Sequence, residues 1–387
     1  MRFQLTIFLT LLVLCSQAVG SQVIIPSAPQ LAAKAYLLID ADTGKVLVEK
    51  NADEKLAPAS LTKMLTAYIV SEEIHAGRLN ENDLVRVSDN AWKKGGAASG
   101  SSTMFLKPRS EVPVLDLMRG VIVQSGNDAS IALAEHIAGS EEAFADVMNQ
   151  QAQLLGMSNS AFKNATGWPA EGHYTTARDL SVLAKAVIND HPDHYGIYAE
   201  KYFKHNGINQ PNRNKMLFRN KFVDGIKTGH TEDAGYCLVA SEVRNDMRLI
   251  SVVMGTNSEE ARAAESQKLM AFGFRYFATH TLYKGGSPLS ELTQRVWGGL
   301  EDQVELTIED DLVATIPRGS RKNLHIETQI DSVIKAPLKR GQELGKLVIS
   351  LDDEVVAEAP LVAMSAIEQS GFIARTWDAL MLMVQGE

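Results

Sequence analysis

Cysteine is almost absent from this sequence, and several other signals that would assign a function directly are missing too. The 387 residues contain two cysteines, so a disulfide framework cannot hold the fold together. The formal charge at pH 7 is −9, and no basic stripe is present to neutralise phosphates, which argues against a nucleic-acid partner. A His-Glu-x-x-His zinc motif is absent, and a proline breaks the histidine pair in residues 190–194. We therefore predict no metal and no cofactor.

Long hydrophobic runs are also scarce, and the one near the N-terminus is short. Residues 5–14 form an apolar run after the basic Arg2, and Ala18-Val19-Gly20 offers the small residues at which a signal peptidase cleaves. The run is shorter than the roughly 20 residues that span a bilayer, so we predict a cleaved secretory signal peptide rather than an anchor helix. Cys15 leaves with it. Cys237 lies in an apolar β-like pattern and is predicted to be a small buried side chain.

A serine and a lysine at helical spacing are the first positive signal. Residues 58–68 carry a proline at the start and apolar residues with a helical period, so a helix is predicted to begin here. Ser60 and Lys63 are then neighbours on one face, which places a nucleophile beside a base. The same Ser-x-x-Lys pattern recurs at Ser160 with Lys163 and at Ser332 with Lys335. Only the first copy follows a predicted hairpin, residues 36–49, and opens a helix, so the others are interpreted as coincidental.

Two further triplets supply polar groups that acyl transfer requires. Ser125-Gly126-Asn127 joins an apolar segment to an alanine-rich helix pattern, so it is expected to be rigidly held. Lys227-Thr228-Gly229 occurs once, at the start of a β-rich segment. A serine and lysine followed by these two triplets is the motif set of penicillin-binding enzymes.

The remaining patterns divide the chain into a mixed α/β part and an all-β part. Helices are predicted within residues 114–155, 176–188 and 259–276, and strands over residues 235–242 and 247–255. Residues 89–102, rich in Gly, Ala and Ser, are predicted to be a surface loop, and Ser88-Asp89-Asn90 at their start is a rival for the second motif. After residue 281, short alternating runs predict a small all-β sandwich. Residues 367–387 predict an amphipathic helix.

With these motifs in this order, the whole chain resembles the D-alanyl-D-alanine carboxypeptidases of the penicillin-binding protein 5 and 6 group, serine peptidases of the bacterial periplasm. The resemblance extends over residues 58–63, 104–108, 124–129, 212–214, 224–231, 248–253, 315–319 and 336–338. It implies an α/β (α+β) penicillin-recognising domain, in which an antiparallel sheet flanked by helices meets an α-helical subdomain at the active site. The implied domains are a signal peptide at 1–20, a catalytic domain at 21–280, a β-sandwich at 281–364 and a membrane-anchoring amphipathic helix at 365–387.

The resemblance also implies a reaction, the removal of terminal D-alanine from peptidoglycan stem pentapeptides through an acyl-enzyme on Ser60, with β-lactams as inhibitors. Lys63 is the expected base, its pKa lowered by burial and by Lys227 as a second cation. Ser125 is expected to pass a proton to the departing D-alanine. Substrate binding is expected at Asn127, Lys227, Thr228, Gly229, His230, Arg262 and Arg213, with backbone amides of Ser60 and His230 as oxyanion donors.

A periplasmic location follows from the same resemblance, with the enzyme attached peripherally to the outer face of the cytoplasmic membrane. The anchoring helix departs from the group's pattern, in which it is usually basic. From residue 367 onward the charged residues are Glu368, Arg375, Asp378 and Glu387, a net charge of −2. Attraction to anionic lipid is thus absent, and burial of apolar side chains must hold the helix on the membrane surface.

Two other functions share part of this pattern. A class A-like β-lactamase carries the same three motifs and hydrolyses its acyl-enzyme through a glutamate-bound water. Glu171 lies between the second and third motifs, but in a Gly- and Pro-containing stretch that is predicted to be flexible. The second alternative is a non-catalytic penicillin-binding sensor or scaffold, and the intact serine and lysine set argues against it.

Overall fold

The computed structural model describes residues 24–289 and 292–385, so the predicted signal peptide at residues 1–20 lies outside the described residues. The described chain forms two compact units. The larger unit contains Ser27–Pro288 and Thr307–Ile316, and the smaller unit contains Leu289–Leu306 and Pro317–Glu387. The segment Thr307–Ile316 therefore returns to the larger unit from within the sequence of the smaller one.

The helices and strands follow the predicted mixture. The helices are α1 (Lys63–His75), α2 (Asp89–Gly95), α3 (Val114–Arg119), α4 (Asn127–Ala138), α5 (Glu141–Leu154), α6 (Ala177–Asn189), α7 (Pro192–Tyr195), α8 (Met216–Arg219), α9 (Glu259–Tyr276) and α10 (Phe372–Gln385). The strands are β1 (Ala35–Asp40), β2 (Val46–Lys50), β3 (Leu84–Arg86), β4 (Glu111–Pro113), β5 (Tyr202–His205), β6 (Ile208–Pro211), β7 (Val223–Thr231), β8 (Gly235–Arg244), β9 (Met247–Thr256), β10 (Phe277–Tyr283), β11 (Thr293–Trp297), β12 (Gln303–Thr307), β13 (Leu312–Pro317), β14 (Leu324–Ile330), β15 (Ile334–Lys335), β16 (Glu343–Leu351) and β17 (Glu354–Ala363).

An antiparallel five-stranded sheet organises the larger unit. Its strand order is β2-β1-β9-β8-β7, and the predicted hairpin of β1 and β2 is confirmed. The hairpin turn contains Gly44 at φ +72°, a conformation that favours glycine. Helices α6 and α9 both contact β1, whose residues are all buried. Strand β7 lies at one edge, and within the described residues it pairs with β8 alone.

Helix α1 passes through the interior of the larger unit. Its residues from Lys63 to Ser71 are all buried, and α4, α5 and α6 contact it. A short 3₁₀ turn, Ala59–Thr62, leads directly into α1. Because a helix that is buried on all sides has little room to shift, residues at its N-terminus are held in place.

Residues 89–102 were predicted to be a surface loop, which is wrong for their first half, whereas the second half contains only a short 3₁₀ turn, Ala97–Ser99. Residues Asp89–Gly95 form α2, which lies against α4. Ser88 Oγ accepts a hydrogen bond from the backbone N–H of Ala91 at 2.8 Å, so this serine caps the helix. Asn90 Nδ2 donates to Glu135 Oε1 at 2.7 Å. The rival triplet is therefore a helix start. Gly95 at the end of α2 permits the close approach to α4, because a Cβ there would collide with the backbone nitrogen of Asp128.

The smaller unit is built on a six-stranded sheet with the order β14-β16-β17-β12-β11-β15. The predicted all-β character is confirmed. Helix α10 begins at Phe372 rather than near residue 367, because Ile367 forms a β-bridge with Leu338. Strand β13 pairs with β10 in a separate two-stranded sheet.

Candidate active site

A cleft of about 670 Å³ in the larger unit opens beside the N-terminus of α1. It collects side chains from segments that are far apart in the sequence. These include Ser60, Ser101, Ser102, Ser125, Asn127, Thr166, Trp168, Arg213, Thr228, Gly229, His230 and Arg262. Lys63 and Lys227 lie directly behind the cleft wall, each within hydrogen-bonding distance of a lining serine.

Ser60 lies in the 3₁₀ turn before α1, and this turn is held between two glycines. On one side, Gly167 has φ +81°, and a Cβ there would collide with the Ala59 carbonyl oxygen. On the other side, a Cβ at Gly229 of β7 would lie 3.0 Å from the Pro58 carbonyl oxygen. Both glycines thus permit close approach of main chain to the turn, and they fix the position of Ser60.

Lys63 is 1% exposed, and its amine has two polar neighbours. Nζ lies 3.0 Å from Ser60 Oγ and donates to the Thr166 carbonyl oxygen at 2.5 Å. Burial, followed by the positive charge of Arg213, lowers the pKa of Lys63 to about 7, while nearby carboxylates oppose the shift. A substantial fraction of this amine is therefore neutral near pH 7.

A second amine and hydroxyl pair lies across the cleft. Lys227 Nζ is 2.9 Å from Ser125 Oγ. Burial, and then the charges of Lys63, Arg213 and Arg262, hold the pKa of Lys227 well below its usual range. The sequence analysis expected Lys227 to be the cation that acts on Lys63. The two lysines do act on each other, since the charge of Lys63 lowers the pKa of Lys227, and Arg213 is a further cation that lowers the pKa of Lys63.

The second motif forms a sharp corner between the π turn Gly120–Gln124 and α4. Ser125 adopts the left-handed conformation with φ +60°, which is strained for a residue other than glycine. The backbone N–H of Asn127 donates to the Ser102 carbonyl oxygen at 2.8 Å. The corner therefore brings both polar side chains of the motif to the wall of the cleft.

Asp128, which the sequence analysis did not single out, holds this corner from behind. Its carboxylate is fully buried. It accepts hydrogen bonds from Thr103 Oγ1 at 2.7 Å and from the backbone N–H groups of Met104, Leu106 and Ala129 at 2.8, 3.0 and 3.0 Å. One side chain thus ties the segment after residue 102 to the start of α4.

We expect Asp128→Ala to lower the free energy of unfolding by about 3 kcal/mol, because the backbone N–H groups that lose their acceptor stay buried. Urea unfolding followed by circular dichroism measures this change. Asp146 is exposed on α5, so Asp146→Ala is the matched control and is expected to change stability by less than about 0.5 kcal/mol. Equal stability of the two variants would contradict the structural role of Asp128.

The opposite wall of the cleft combines β7 with two arginines. Arg262 from α9 is 4% exposed and donates to the Gly229 carbonyl oxygen at 3.2 Å. His230 stacks on Tyr236 with ring centroids 3.9 Å apart. Arg213 lies between two buried asparagines, Asn212 and Asn214, which hydrogen bond to neighbouring backbone. This wall therefore presents fixed positive charge beside the edge strand.

A loop that supports Lys63 through the Thr166 carbonyl oxygen was not predicted from the sequence. Asn164 Oδ1 accepts hydrogen bonds from the backbone N–H groups of Thr166, Gly167 and Trp168 at 3.2, 2.8 and 3.1 Å. The stretch that was predicted to be flexible is thus tied by hydrogen bonds. The asparagine and glycine signal a turn in the sequence, but they do not reveal that the Thr166 carbonyl faces Lys63.

His173 is a second missed residue in this loop. It is 8% exposed, and its Nε2 lies 3.1 Å from Thr62 Oγ1. Burial, together with the charges of Lys163 and Lys63, lowers the pKa of His173 to about 4. His173 is therefore neutral at physiological pH and contacts the turn that carries Ser60.

The two other Ser-x-x-Lys copies lie in different surroundings. Ser160 Oγ donates to Asp179 Oδ2 at 2.7 Å, next to the cap of α6. Ser332 and Lys335 lie in the smaller unit. Among residues 24–289 and 292–385, no group of three or more His, Cys, Asp or Glu side chains is arranged to hold a metal ion.

The fold and the cleft define a serine hydrolase of the penicillin-recognising class, with a hydroxyl beside a buried amine at the N-terminus of a central helix. The chain belongs to the D-alanyl-D-alanine carboxypeptidase family, whose model matches residues 22–258. The model described as penicillin-binding protein 5, C-terminal domain, matches residues 277–369. The family resemblance and the fold class predicted from the sequence are confirmed.

Several characterised proteins are similar over most of the chain. The D-alanyl-D-alanine carboxypeptidase DacC of Escherichia coli is 47% identical over 358 residues, which cover 92% of this chain and 89% of that protein. The crystal structure of penicillin-binding protein 5 from Haemophilus influenzae has a TM-score of 0.83 and 40% identity, covering 89% of this chain and 100% of that one. Penicillin-binding protein D2 from Listeria monocytogenes, solved in an ampicillin-bound form, has a TM-score of 0.56 and 29% identity over 64% of this chain and 100% of that one.

Proposed function

We propose that the enzyme removes the terminal D-alanine from peptidoglycan stem pentapeptides by forming an acyl-enzyme on Ser60, and that β-lactams inhibit it by acylating the same hydroxyl. The 3.0 Å distance between Lys63 Nζ and Ser60 Oγ carries this proposal. It pairs a nucleophile with an amine whose pKa of about 7 allows it to be neutral at the working pH. The names of the relatives support the substrate, and the ampicillin-bound relative supports the inhibitor class.

The surroundings of Lys63 support its role as the base for acylation. A neutral amine has two N–H groups and one lone pair. Donation to the Thr166 carbonyl oxygen uses one N–H group, which leaves the lone pair free to accept the proton of Ser60. Ser60 Oγ then bonds to the scissile carbonyl carbon as its proton moves to Lys63.

Collapse of the tetrahedral intermediate requires a proton for the departing amine. The Ser125 hydroxyl supplies this proton, and Lys227, 2.9 Å away, replaces it. The C–N bond breaks, D-alanine leaves, and the acyl group stays on Ser60. Water then attacks the ester and gives up one proton to the Ser125 and Lys227 pair, while Lys63 returns its proton to Ser60 Oγ as the C–O bond breaks. This restores the Ser60 hydroxyl and both lysines and releases the shortened peptide.

Because β7 is an edge strand, the substrate peptide can bind by pairing with it as an additional strand. A peptide that adds to the outer edge of this strand places its scissile carbonyl between the backbone N–H groups of Ser60 and His230, the proposed oxyanion donors. Asn127 contributes a side-chain amide to the peptide backbone. Gly229 allows the strand to lie close to the nucleophile's turn.

Recognition of the peptide's C-terminus is assigned to the positive wall. Thr228, Arg262 and Arg213 all line the cleft, and a guanidinium binds a carboxylate through two parallel hydrogen bonds. The requirement for a free carboxylate distinguishes a carboxypeptidase from an endopeptidase. Lys227 adds positive charge behind this wall when it is protonated.

One assay tests the proposed reaction against its two alternatives. The purified protein is incubated with a peptide ending in D-alanyl-D-alanine and, separately, with a fluorescent penicillin. Release of D-alanine with a long-lived label supports the carboxypeptidase. Rapid loss of the label would instead indicate a β-lactamase, and the lack of both signals would indicate a non-catalytic scaffold.

The position of Glu171 disfavours the β-lactamase. Glu171 is exposed and lies in a neighbouring cavity with His173, whereas the cleft that contains Ser60 is lined by other residues of this loop. A glutamate that activates water for deacylation has to reach the acyl ester directly or through one water molecule. The intact serine and lysine pairs disfavour the scaffold.

The acylation rate is expected to rise with pH through about pH 7 and to fall about tenfold per pH unit on the acidic side. Lys63 accepts a proton only in its neutral form, and its pKa is lowered to about 7, so the active fraction grows as the pH rises through that value. Labelling by a fluorescent penicillin under pseudo-first-order conditions, from about pH 5 to about pH 9, measures this profile. A rate that is constant or that increases towards acid would contradict Lys63 as the base.

The domain division and location are proposed from the family. We infer that residues 1–20 are a cleaved signal peptide, that residues 21–280 form the catalytic domain, that residues 281–364 form the β-sandwich, and that residues 365–387 anchor the enzyme at the periplasmic face of the cytoplasmic membrane. In the described residues no helix is both long enough and apolar enough to cross a bilayer.

The surface of α10 supports the membrane contact. Both of its charged side chains form hydrogen bonds within the smaller unit. Asp378 accepts a hydrogen bond from the Gly298 N–H at 2.8 Å, and Arg375 donates one to Gln369 Oε1 at 2.9 Å. Large apolar side chains are left exposed, namely Phe372, Ile373, Trp377, Leu380 and Met383, at 76%, 86%, 64%, 55% and 77%. A helix with such a face binds in the interfacial region of a bilayer.

We expect the full-length mature protein to co-sediment equally well with neutral and anionic phospholipid vesicles, and to stay bound in about 0.5 M salt, because α10 has no cluster of basic residues whose attraction to lipid the salt could screen. Trp377→Glu should reduce the bound fraction about tenfold. Leu154→Glu, at an 81% exposed site on α5, is the matched control and should bind as the wild type does. Binding restricted to anionic vesicles would contradict the proposal.

A further inference from the structure

Glu141, in the first turn of α5, contacts the loop that holds Lys63 and has no role in the proposed chemistry. Its Oε1 accepts a hydrogen bond from the backbone N–H of Ala165 at 3.3 Å. Ala165 directly precedes Thr166, whose carbonyl oxygen accepts a hydrogen bond from Lys63. The Ala165 carbonyl oxygen in turn accepts from Thr66 Oγ1 of α1 at 2.8 Å. A single peptide segment thus connects the carboxylate of Glu141 to the helix that carries the proposed base.

Helix α5 also holds this loop at a second point, two turns further along. Asn149 Nδ2 donates to the Phe162 carbonyl oxygen, and Asn149 Oδ1 accepts from the Phe162 N–H, both at 2.8 Å. The helix itself packs against α1, and Ser140 caps its start by accepting a hydrogen bond from the Ala143 N–H at 3.1 Å. The loop and the first turn of α5 are therefore fixed together, so Glu141 keeps its place relative to the buried amine.

Glu141 is placed where its negative charge is disfavoured. Burial raises the pKa of Glu141, and the charges of Glu142 and of Glu135 on α4 add to the shift. The hydrogen bond from Ala165 and the charge of Lys94 on α2 oppose it. An ionisable group that the fold keeps in such surroundings is typical of a functional site.

Charges from several elements meet at Lys63. The titratable groups that interact with it are Arg213, Asp128, Glu141, Lys227 and His173. Burial and then Arg213 lower the pKa of Lys63, whereas the charges of Asp128 and Glu141 raise it, with a balance at about 7. Asp128 has a structural role through its four hydrogen bonds. Among the described residues Glu141 accepts one hydrogen bond, which a neutral side chain could accept equally well.

The charge of Glu141 matters because Lys63 must be neutral before acylation and becomes an ammonium during it. Burial beside an arginine favours the neutral form, but an amine whose pKa is lowered too far is a weak acceptor for the proton of Ser60. A nearby carboxylate stabilises the ammonium and so strengthens the base. A pKa near the working pH combines a usable neutral fraction with sufficient strength.

We propose that Glu141 is a positioning residue for acylation, whose negative charge strengthens Lys63 as the base by stabilising the ammonium that forms when the proton of Ser60 arrives. Lys63 Nζ gains the proton, Ser60 Oγ bonds to the scissile carbonyl carbon, and Glu141 keeps its own charge throughout. This inference rests on the proposed function, in which Lys63 is the base, and adds to it a residue from outside the three sequence motifs.

The test is the pH profile of penicillin labelling in Glu141→Gln, an isosteric variant that can still accept from the Ala165 N–H. Loss of the charge lowers the pKa of Lys63, so the midpoint of the rise in rate is expected about half a pH unit below that of the wild type. A weaker base is also slower when fully neutral, so labelling should be about twofold slower at about pH 9 but about 1.5-fold faster at about pH 6. The two profiles therefore cross, which a merely damaged site would not produce.

Two further variants separate the charge of Glu141 from its hydrogen bond and from general effects. Glu141→Asp keeps the charge but shortens the side chain that reaches Ala165, and its midpoint is expected to match that of the wild type. Glu142→Gln, at an exposed neighbouring site, is the charge-matched control and should reproduce the wild-type profile. Titration of protein with isotope-labelled lysine by NMR follows Lys63 directly, with its signal identified by its loss in Lys63→Met. This signal should shift its midpoint in Glu141→Gln as the labelling rate does.

The outcomes distinguish this inference from the proposed function. If the midpoint in Glu141→Gln equals that of the wild type or moves towards alkaline pH, Lys63 remains the base and the role of Glu141 is wrong. Slow labelling at every pH in Glu141→Asp, with a wild-type profile in Glu141→Gln, would also overturn it, since the hydrogen bond to Ala165 would then be what matters. If wild-type labelling does not depend on pH near 7, Lys63 is not the base and the inference falls with that step.

Discussion

Ser60→Ala is expected to lower the rate of D-alanine release by about 10⁴-fold or more and to abolish covalent labelling by a fluorescent penicillin. The reaction proceeds through an ester on this hydroxyl, so the alanine variant has no nucleophile and keeps only the binding contributions of the cleft. Because Ser60 is partly exposed at the cleft wall, its loss should leave the unfolding midpoint nearly unchanged. Mass spectrometry of the penicillin-treated protein measures the acylation directly.

The smaller unit supplies a control for this experiment in its own Ser-x-x-Lys sequence. Ser332 is exposed and precedes Lys335 at the same spacing as in the first copy. Ser332→Ala should retain full D-alanine release and full labelling. Labelling of Ser60→Ala at another serine would show that the acylated residue has been misassigned.

Lys63→Met is expected to reduce acylation by about 10³-fold, the contribution of a positioned general base. Methionine is similar in length but cannot accept a proton, so the Ser60 hydroxyl loses its partner at 3.0 Å. The residual rate should also lose its dependence on pH near 7, because the group that titrates there has been removed. Stopped-flow measurement of penicillin labelling across that pH range tests both expectations.

Structural damage is a competing explanation for a slow Lys63→Met variant, since the Thr166 carbonyl oxygen loses its donor. The pH profile resolves this ambiguity. If the substitution only distorts the site, the base is another group, and the slow acylation by the variant would still depend on pH near 7. Lys335→Met, at an exposed site, should match the wild type in both rate and profile.

The parts of the site that are predictable from the sequence are those with a chemical signature at short spacing. Ser60 and Lys63 are three positions apart on a helix start, and the hairpin before them identifies the correct copy. The other two motifs have a distinctive order along the chain. For these residues, local geometry on a helix or strand already determines which side chains meet.

The support of Lys63 could not be predicted in the same way. Thr166 acts through its main-chain carbonyl, which every residue type possesses, and His173 contacts Thr62 across more than 100 positions of sequence. Asp128 is likewise one carboxylate among many until the fold brings four donors to it. Arg213 adds its charge to the Lys63–Lys227 pair from a segment far away in the sequence, so its effect on the pKa of Lys63 could not be predicted from local spacing.

Residues 89–102 show a different limit of predicting structure from the sequence. Their Gly, Ala and Ser content is typical of a loop, yet a serine cap and contact with α4 produce a helix over Asp89–Gly95, and the rest of the segment has only a short 3₁₀ turn. Small residues have two uses, since they permit turns and they also permit close packing of helices. Composition alone does not distinguish the two, and tertiary contact decides.

The two glycines that enclose the turn of Ser60 restrict how such an enzyme can become resistant to antibiotics. Any side chain at Gly167 or Gly229 would push main chain against the turn, so a substitution that hinders a β-lactam there would also displace the nucleophile from its natural peptide. A substitution that hinders a β-lactam without moving Ser60 must therefore lie elsewhere around the cleft. The same close approach of main chain that positions the nucleophile leaves little room for a side chain at either glycine.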